Sequence, residues 1–293
     1  MKSYLKMIGL FILLVVIHQG LALVYLVPVG VYYNLIGIEG EQLEELLYAQ
    51  SMQATIFAGL VALLIFIFMF RNKKENLFKR SQFNSLTIKQ AGWSSLIGFS
   101  FVFLSLLIVQ LLSVLFPLQY ANFVETMDVV VDAPFLVVLL GVVIVAPLFE
   151  EVMFRGIVYD ALHKRMNIYI SIVLAGLLFG VYHMNIFQGT YATLIGIVMG
   201  FSLVWTKSIW APIIIHFVNN LVSVLISYTV VGTWLDLEKA LPIIVSITIA
   251  ATLLPFGIYK LHANKVIVTP IEPTLDELIP EDSIEDLELD ATV

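Results

Sequence analysis

The 293-residue chain has no cysteine and few charged residues. Without cysteine it can form no disulfide and offers no thiolate as a nucleophile or metal ligand. Charged residues make up only 13% of the chain, whereas soluble domains carry about 25%. Hydrophobic residues make up 60%, so the composition argues against a soluble domain.

Several catalytic signatures are also missing from the sequence. There is no H-E-x-x-H helix of the zincin or site-2-protease type, no G-x-S-x-G serine elbow, and no G-x-G-D as in presenilin-type aspartyl proteases. Glycine-rich phosphate loops are absent, which argues against nucleotide hydrolysis.

The chain contains long uncharged apolar runs. Residues 7–31 and 51–70 contain no charge, and a bilayer core of roughly 30 Å is spanned by about 20 apolar residues. The first run is too long for a signal-peptide core and lacks a cleavage site, so we expect it to be a retained helix. The sequence therefore predicts an all-α polytopic membrane protein with about eight transmembrane helices. The further spans are predicted near residues 92–117, 134–150, 168–184, 190–206, 209–231 and 241–261.

The basic residues predict the orientation of these spans. With the N-terminus inside, fourteen of the fifteen lysines and arginines fall in inner segments and only Lys239 falls outside. Positive residues favour the cytoplasmic side, so we expect a multi-pass cell-membrane protein with both termini in the cytoplasm. We divide the chain into N-terminal helices with a basic loop (1–90), a core (91–265) and an acidic tail (266–293), predicted to be disordered because acids dominate it.

Ionisable residues within apolar spans are costly and usually face a cavity or one another. Glu151 and Arg155 are four residues apart on one helix face, which predicts an ion pair. Glu150 points about 100° away from Glu151, so its carboxylate is expected to be free for another task. For His18 we expect a helix-packing role. The remaining ionisable residues in the spans are His183 and His216.

Two chemistries fit one glutamate and two histidines on separate helices, and both are hydrolytic. In one, Glu150 and His183 hold and deprotonate a water, while His216 and Asn220 donate hydrogen bonds to the oxyanion. In the other, zinc bound by Glu150, His183 and His216 keeps an open position for water. Phe179, on the face of His183, is predicted to pack.

These residues form three ordered motifs that resemble those of the CPBP family. That family contains the type II CAAX prenyl endopeptidases and the bacteriocin-processing or immunity proteins of the Abi domain. The resemblance covers roughly residues 130–230. The motifs are Glu150-Glu151-x-x-x-Arg155, Phe179-x-x-x-His183 and His216-x-x-x-Asn220.

The resemblance implies an eight-helix intramembrane protease with a polar cavity open to the cytoplasm. It makes Glu150 the base, assisted by His183, and places His216 and Asn220 at the oxyanion site. Glu151 and Arg155 would support them. The expected partners are the bilayer and a membrane-embedded or membrane-associated protein or peptide substrate, and no nucleic acid. We favour a mechanism without a cofactor over one that uses zinc.

Two other classes of protein would also place ionisable residues within apolar spans. A non-catalytic scaffold, sensor or immunity protein could keep the fold and recruit partners through its acidic tail, but the complete motif set argues against it. A small transporter could use the glutamate and histidines as a proton relay. Paired broken helices in two corresponding halves, which mark many transporters, are not evident in the sequence.

Overall fold

A computed structural model describes residues 2–229 and 239–267. Within these ranges every regular element is helical. The predicted disorder of the acidic tail concerns residues that, from 268 onward, lie outside the described part of the chain. The helices are α1 Lys2–Leu35, α2 Gly40–Ala49, α3 Ser51–Met69, α4 Leu77–Ser81, α5 Ile88–Leu115, α6 Pro117–Asp132, α7 Phe135–His163, α8 Ile168–Tyr182, α9 Ile186–Thr206, α10 Trp210–Tyr228 and α11 Ala240–Ala263.

The predicted class is confirmed, since the described chain is an all-α polytopic membrane protein. Seven of the described helices are long and apolar enough to cross a membrane, namely α1, α3, α5, α7, α9, α10 and α11. Helix α8 is apolar but has only 15 residues. At 1.5 Å per residue it is about 22 Å long, shorter than the roughly 30 Å of a bilayer core.

One predicted span limit is wrong. The fourth span was placed at residues 134–150, with Glu150 at its inner end, but α7 runs on to His163. Arg155, Asp160 and His163 lie in this extension, and their charge and polarity concealed it in the sequence. Glu150 therefore lies near the middle of a 29-residue helix.

Local signals in the sequence set the beginnings of three helices. Thr87 and Gln90 form a capping box at the start of α5, each side chain bonding the other residue's backbone N–H. Asn167 accepts a hydrogen bond from the backbone of Tyr169 at the start of α8. Asn185 does the same for the first turn of α9, so this polar residue within an apolar block is a helix cap.

Helix α7 has the largest buried share of the spanning helices that the structure describes, and it contacts α1, α3, α4, α8 and α10. It contains two segments of π-helix, Leu139–Val145 and Val152–Val158, on either side of the α-helical turns that carry the paired glutamates. π-Segments are rare and are frequent at functional sites. Pro147 follows the first one and lacks the N–H that an α-helical ladder needs. The second has no comparable local cause in the sequence.

Helices α8 and α9 pack closely through small residues. A Cβ on Gly180 would lie 2.0 Å from Oγ1 of Thr193 and 2.4 Å from the carbonyl oxygen of Gly189. Only glycine permits this approach, which is typical of helix pairs in membranes. The close contact brings the end of α8 and the carbonyl of Gly196 on α9 towards α7, where the ionisable residues lie.

Candidate active site

The predicted ion pair within α7 is confirmed and is fully buried. Nη1 of Arg155 lies 2.9 Å from Oε1 of Glu151, and the two side chains are 1% and 0% exposed. The other terminal nitrogen of Arg155 donates to the carbonyl of Gly196 at 2.9 Å. The guanidinium carbon also lies 4.8 Å from the ring centroid of Phe179. The arginine therefore joins α7 to both α8 and α9.

His216 of α10 lies between the two glutamates. Its Nδ1 is 2.9 Å from Oε1 of Glu151, and its Nε2 is 3.8 Å from Oε2 of Glu150. Oε1 of Glu151 also accepts from Arg155, so we assign the carboxylate as the acceptor and Nδ1 of His216 as the donor. In a neutral ring Nε2 is then a free lone pair beside Glu150. The sequence did not reveal the bond between Glu151 and His216, because these residues are 65 positions apart.

Glu150 has different surroundings from Glu151, as their positions on the helix predicted. Its side chain is 12% exposed, and no described residue donates a hydrogen bond to its carboxylate. The neighbouring group that it faces is Nε2 of His216. One carboxylate is thus held by partners on two helices, while the other is available to a small molecule.

His183 directly follows the last residue of α8 and is half-buried. Its ring centroid lies 5.0 Å from that of Phe179 and 5.6 Å from that of Tyr182. Phe179 also contacts His216, at 5.7 Å between ring centroids. The Phe179 ring therefore lies between His183, at the end of the short α8, and His216 of the third motif. The described contacts of His183 are with rings, since no described residue hydrogen-bonds to its imidazole.

Asn220 has a structural partner that the sequence did not identify. Its amide nitrogen donates to the carbonyl of Val142 at 2.8 Å. The N–H of Ala146, four residues after Val142, bonds to Gly141 instead, and Pro147, five residues after it, has no N–H. The side chain thus satisfies a carbonyl that the proline leaves free, as happens at prolines in membrane helices. The predicted oxyanion role would have to use the second N–H of the amide.

The predicted zinc ligands are not gathered as a metal-binding set. Among residues 2–229 and 239–267, no three histidine, cysteine, aspartate or glutamate side chains are placed so that they could hold one metal ion. We therefore route no chemical step through zinc.

The packing role expected for His18 is confirmed. The side chain is buried at 7% exposure, and its Nδ1 is 2.8 Å from the hydroxyl of Tyr182. The sequence did not identify Tyr182 as the partner of His18, since the two residues are 164 positions apart.

Comparison with known proteins gives two matches. Residues 132–222 match the family model described as type II CAAX prenyl endopeptidase Rce1-like. A Bacillus subtilis (strain 168) protein named "Putative membrane peptidase YdiL" is 27% identical over 113 residues. That alignment covers 39% of this chain and 46% of the relative, so the chain matches less than half of the relative's length. No solved structure matches the chain significantly.

The matched segment contains all three motifs and the whole cluster formed by Glu150, Glu151, Arg155 and His216. These findings confirm the resemblance drawn from the motifs, and they support an intramembrane protease at the level of the family. Residues 132–222 of this membrane protein are thus similar to the type II CAAX prenyl endopeptidases of the Rce1-like family.

Proposed function

We propose that the protein is an intramembrane endopeptidase in which Glu150 activates a water molecule for attack on a peptide bond. The observation that carries this proposal is the asymmetry of the two carboxylates. Glu151 is fixed by Arg155 and His216, whereas Glu150 has no hydrogen-bond donor among the described residues and faces Nε2 of His216. A buried carboxylate without a donor is able to accept a proton from water.

The distances suit one water between the two groups. Oε2 of Glu150 and Nε2 of His216 are 3.8 Å apart, so a single water can donate to both at about 2.8 Å. Glu150 takes one proton as the water oxygen attacks the carbonyl carbon, and returns it to the amine as the C–N bond breaks. Glu151 keeps the proton of His216 on Nδ1, which leaves Nε2 able to orient the water.

The developing negative charge on the carbonyl oxygen needs donors. We propose the second N–H of Asn220 for this role, because Nε2 of His216 already accepts from the attacking water. We propose that His183 assists Glu150, because it lies at the end of α8 and contacts Phe179, whose ring also contacts His216. No cofactor takes part in these steps.

The proposed substrate is a membrane-embedded or membrane-associated protein or peptide, since the reacting groups lie in helices that cross the bilayer. We propose that the polar space beside Glu150 opens to the cytoplasm and that both termini are on that side. The basis for this orientation is that fourteen of the fifteen lysines and arginines share one side of the predicted topology. Arg155 is one of the fourteen but is buried within α7, so thirteen remain on that side.

The experiment compares Glu150→Gln with Glu151→Gln. Membranes from cells that express each protein are analysed by quantitative mass spectrometry of new protein N-termini, and the best substrate found is then cleaved in proteoliposomes. We expect Glu150→Gln to abolish cleavage while remaining folded, because glutamine preserves size and removes the base. We expect Glu151→Gln to retain more activity than Glu150→Gln but to unfold more easily than wild type, because Arg155 and His216 remain buried without the negative charge that they bind.

Matched amounts of folded protein, measured by gel filtration in detergent, are the control for both variants. Normal cleavage by Glu150→Gln together with a well-folded, inactive Glu151→Gln would mean that the two carboxylates have the opposite roles. If no N-termini depend on the wild-type protein, the chain is a non-catalytic membrane protein instead.

A further inference from the structure

Helix α1 lies outside the segment that matches the family model, yet one of its side chains reaches the candidate active site. His18 is the only acid, base or histidine between residues 7 and 35. Most of α1 is exposed on the surface of the structure, where lipid would contact it, but His18 is buried at 7% exposure. A buried polar ring costs free energy unless it is hydrogen-bonded, whereas an apolar side chain at this position would carry no such cost.

The two contacts of His18 are with residues that directly precede site residues. Its ring stacks on Phe149 with a centroid distance of 4.4 Å and an interplanar angle of 20°. Its Nδ1 is hydrogen-bonded to the hydroxyl of Tyr182 at 2.8 Å. Phe149 precedes Glu150 in α7, and Tyr182 precedes His183 at the end of α8. One side chain of α1 therefore contacts both segments that carry the proposed base and its assistant.

Tyr182 transmits this contact to His183. Its ring touches the His183 ring at 5.6 Å and the Phe154 ring at 5.5 Å. The tyrosine is therefore held by a hydrogen bond at its hydroxyl and by ring contacts with His183 and Phe154. The His183 imidazole has no hydrogen bond to a described residue that could fix it, so ring contacts are what determine its orientation.

We propose that His18 and Tyr182 form a positioning pair that sets the orientation of His183 relative to Glu150. This inference rests on the proposed function, because it assigns the pair to the same site. The hydroxyl–imidazole bond is the element that transmits position from α1 to the end of α8. Neither residue touches the reacting atoms, so both are positioning residues.

The test uses the full-length protein with four variants. Tyr182→Phe removes only the hydroxyl, His18→Leu removes the imidazole, and the double variant removes both. Leu14→Ala is the matched control, because Leu14 is fully buried and lies one turn before His18 on the same face of α1. It weakens the packing of α1 without removing the hydrogen bond.

We expect each single variant to lower kcat roughly two- to tenfold at unchanged KM, the range of one hydrogen bond. The double variant should be no slower than the slower single variant, because both changes break the same bond. Leu14→Ala should lower stability and leave kcat per folded molecule unchanged. Unchanged kcat in Tyr182→Phe, or multiplied losses in the double variant, would refute the positioning pair.

A second measurement does not depend on cleavage. In protein labelled with ¹⁵N-histidine, which contains five histidines, the ring signal of His183 should shift in Tyr182→Phe and in His18→Leu, and stay in place in Leu14→Ala. A His183 signal that is the same in Tyr182→Phe as in wild type would overturn this proposal even if the enzyme is active. If wild type cleaves nothing but the signal shifts, the proposed function fails while the positioning contact stands.

Discussion

Removing Arg155 tests how much the buried ion pair contributes to the stability of the protein. Arg155→Met keeps a long apolar side chain in place but removes the charge and both hydrogen bonds. Glu151 is 0% exposed, and its Oε2 has no partner among the described residues. Its negative charge is therefore stabilised by the two groups that donate to Oε1, Arg155 and His216.

Breaking a buried pair by removing one partner costs about 3–5 kcal/mol. The carbonyl of Gly196 also loses its donor, and an unsatisfied buried acceptor costs about 1–3 kcal/mol. The hydrogen bond from His216 to Oε1 of Glu151 remains and compensates part of the loss, so we expect a net loss of about 3–5 kcal/mol. That is a large part of the roughly 5–15 kcal/mol by which proteins are stable.

The measurement is reversible unfolding in mixed micelles, with the amount of protein in the membrane recorded alongside. The double variant Glu151→Gln/Arg155→Met leaves no unpaired charge, so it should be more stable than Arg155→Met alone. A single variant as stable as wild type, or a double variant less stable than the single one, would refute the ion-pair reasoning. Normal stability with lost cleavage would place Arg155 in catalysis or substrate binding instead.

Three further predictions concern the metal, the helix contact and the response to acid. Purified protein should contain far less than one zinc per chain and cleave substrate after treatment with a strong chelator; zinc-dependent loss and recovery of activity would contradict the proposed mechanism. Gly180→Ala should destabilise the protein by about 1–3 kcal/mol, because its Cβ would collide with Thr193 and Gly189, whereas Gly92→Ala, with nothing within 4 Å, should be neutral or slightly stabilising in the same unfolding assay. The hydrogen bond from Lys164, followed by the nearby positive charges, lowers the pKa of Glu75 below 4.5. The contribution of Glu75 to stability is therefore complete above about pH 4.5 and disappears as the pH falls through the lowered pKa. Glu75→Gln should lose that part of the acid dependence in a pH titration of the folded fraction.

Local sequence patterns were sufficient to predict the membrane class and the contacts made within one helix. Long uncharged runs predicted the spans because a bilayer core excludes charge over about 20 residues. The ion pair between Glu151 and Arg155 followed from helical geometry alone, since residues four apart share a face. The same geometry showed that Glu150 and Glu151 must face different surroundings.

Tertiary structure decided every contact that joins separate helices. The bond from His216 to Glu151, the bond from Asn220 to Val142 and the contact of His18 with Tyr182 link residues 65 to 164 positions apart. They depend on how deeply each helix sits and how closely its neighbour approaches, and periodicity within one helix contains neither quantity. The first π-segment of α7 has a local cause in Pro147, but the carbonyl of Val142 beside it is satisfied by a side chain from α10. Helical geometry thus separated the surroundings of the two carboxylates, and the packing of α10 against α7 decided that His216 lies between them, bonded to Glu151 and facing Glu150.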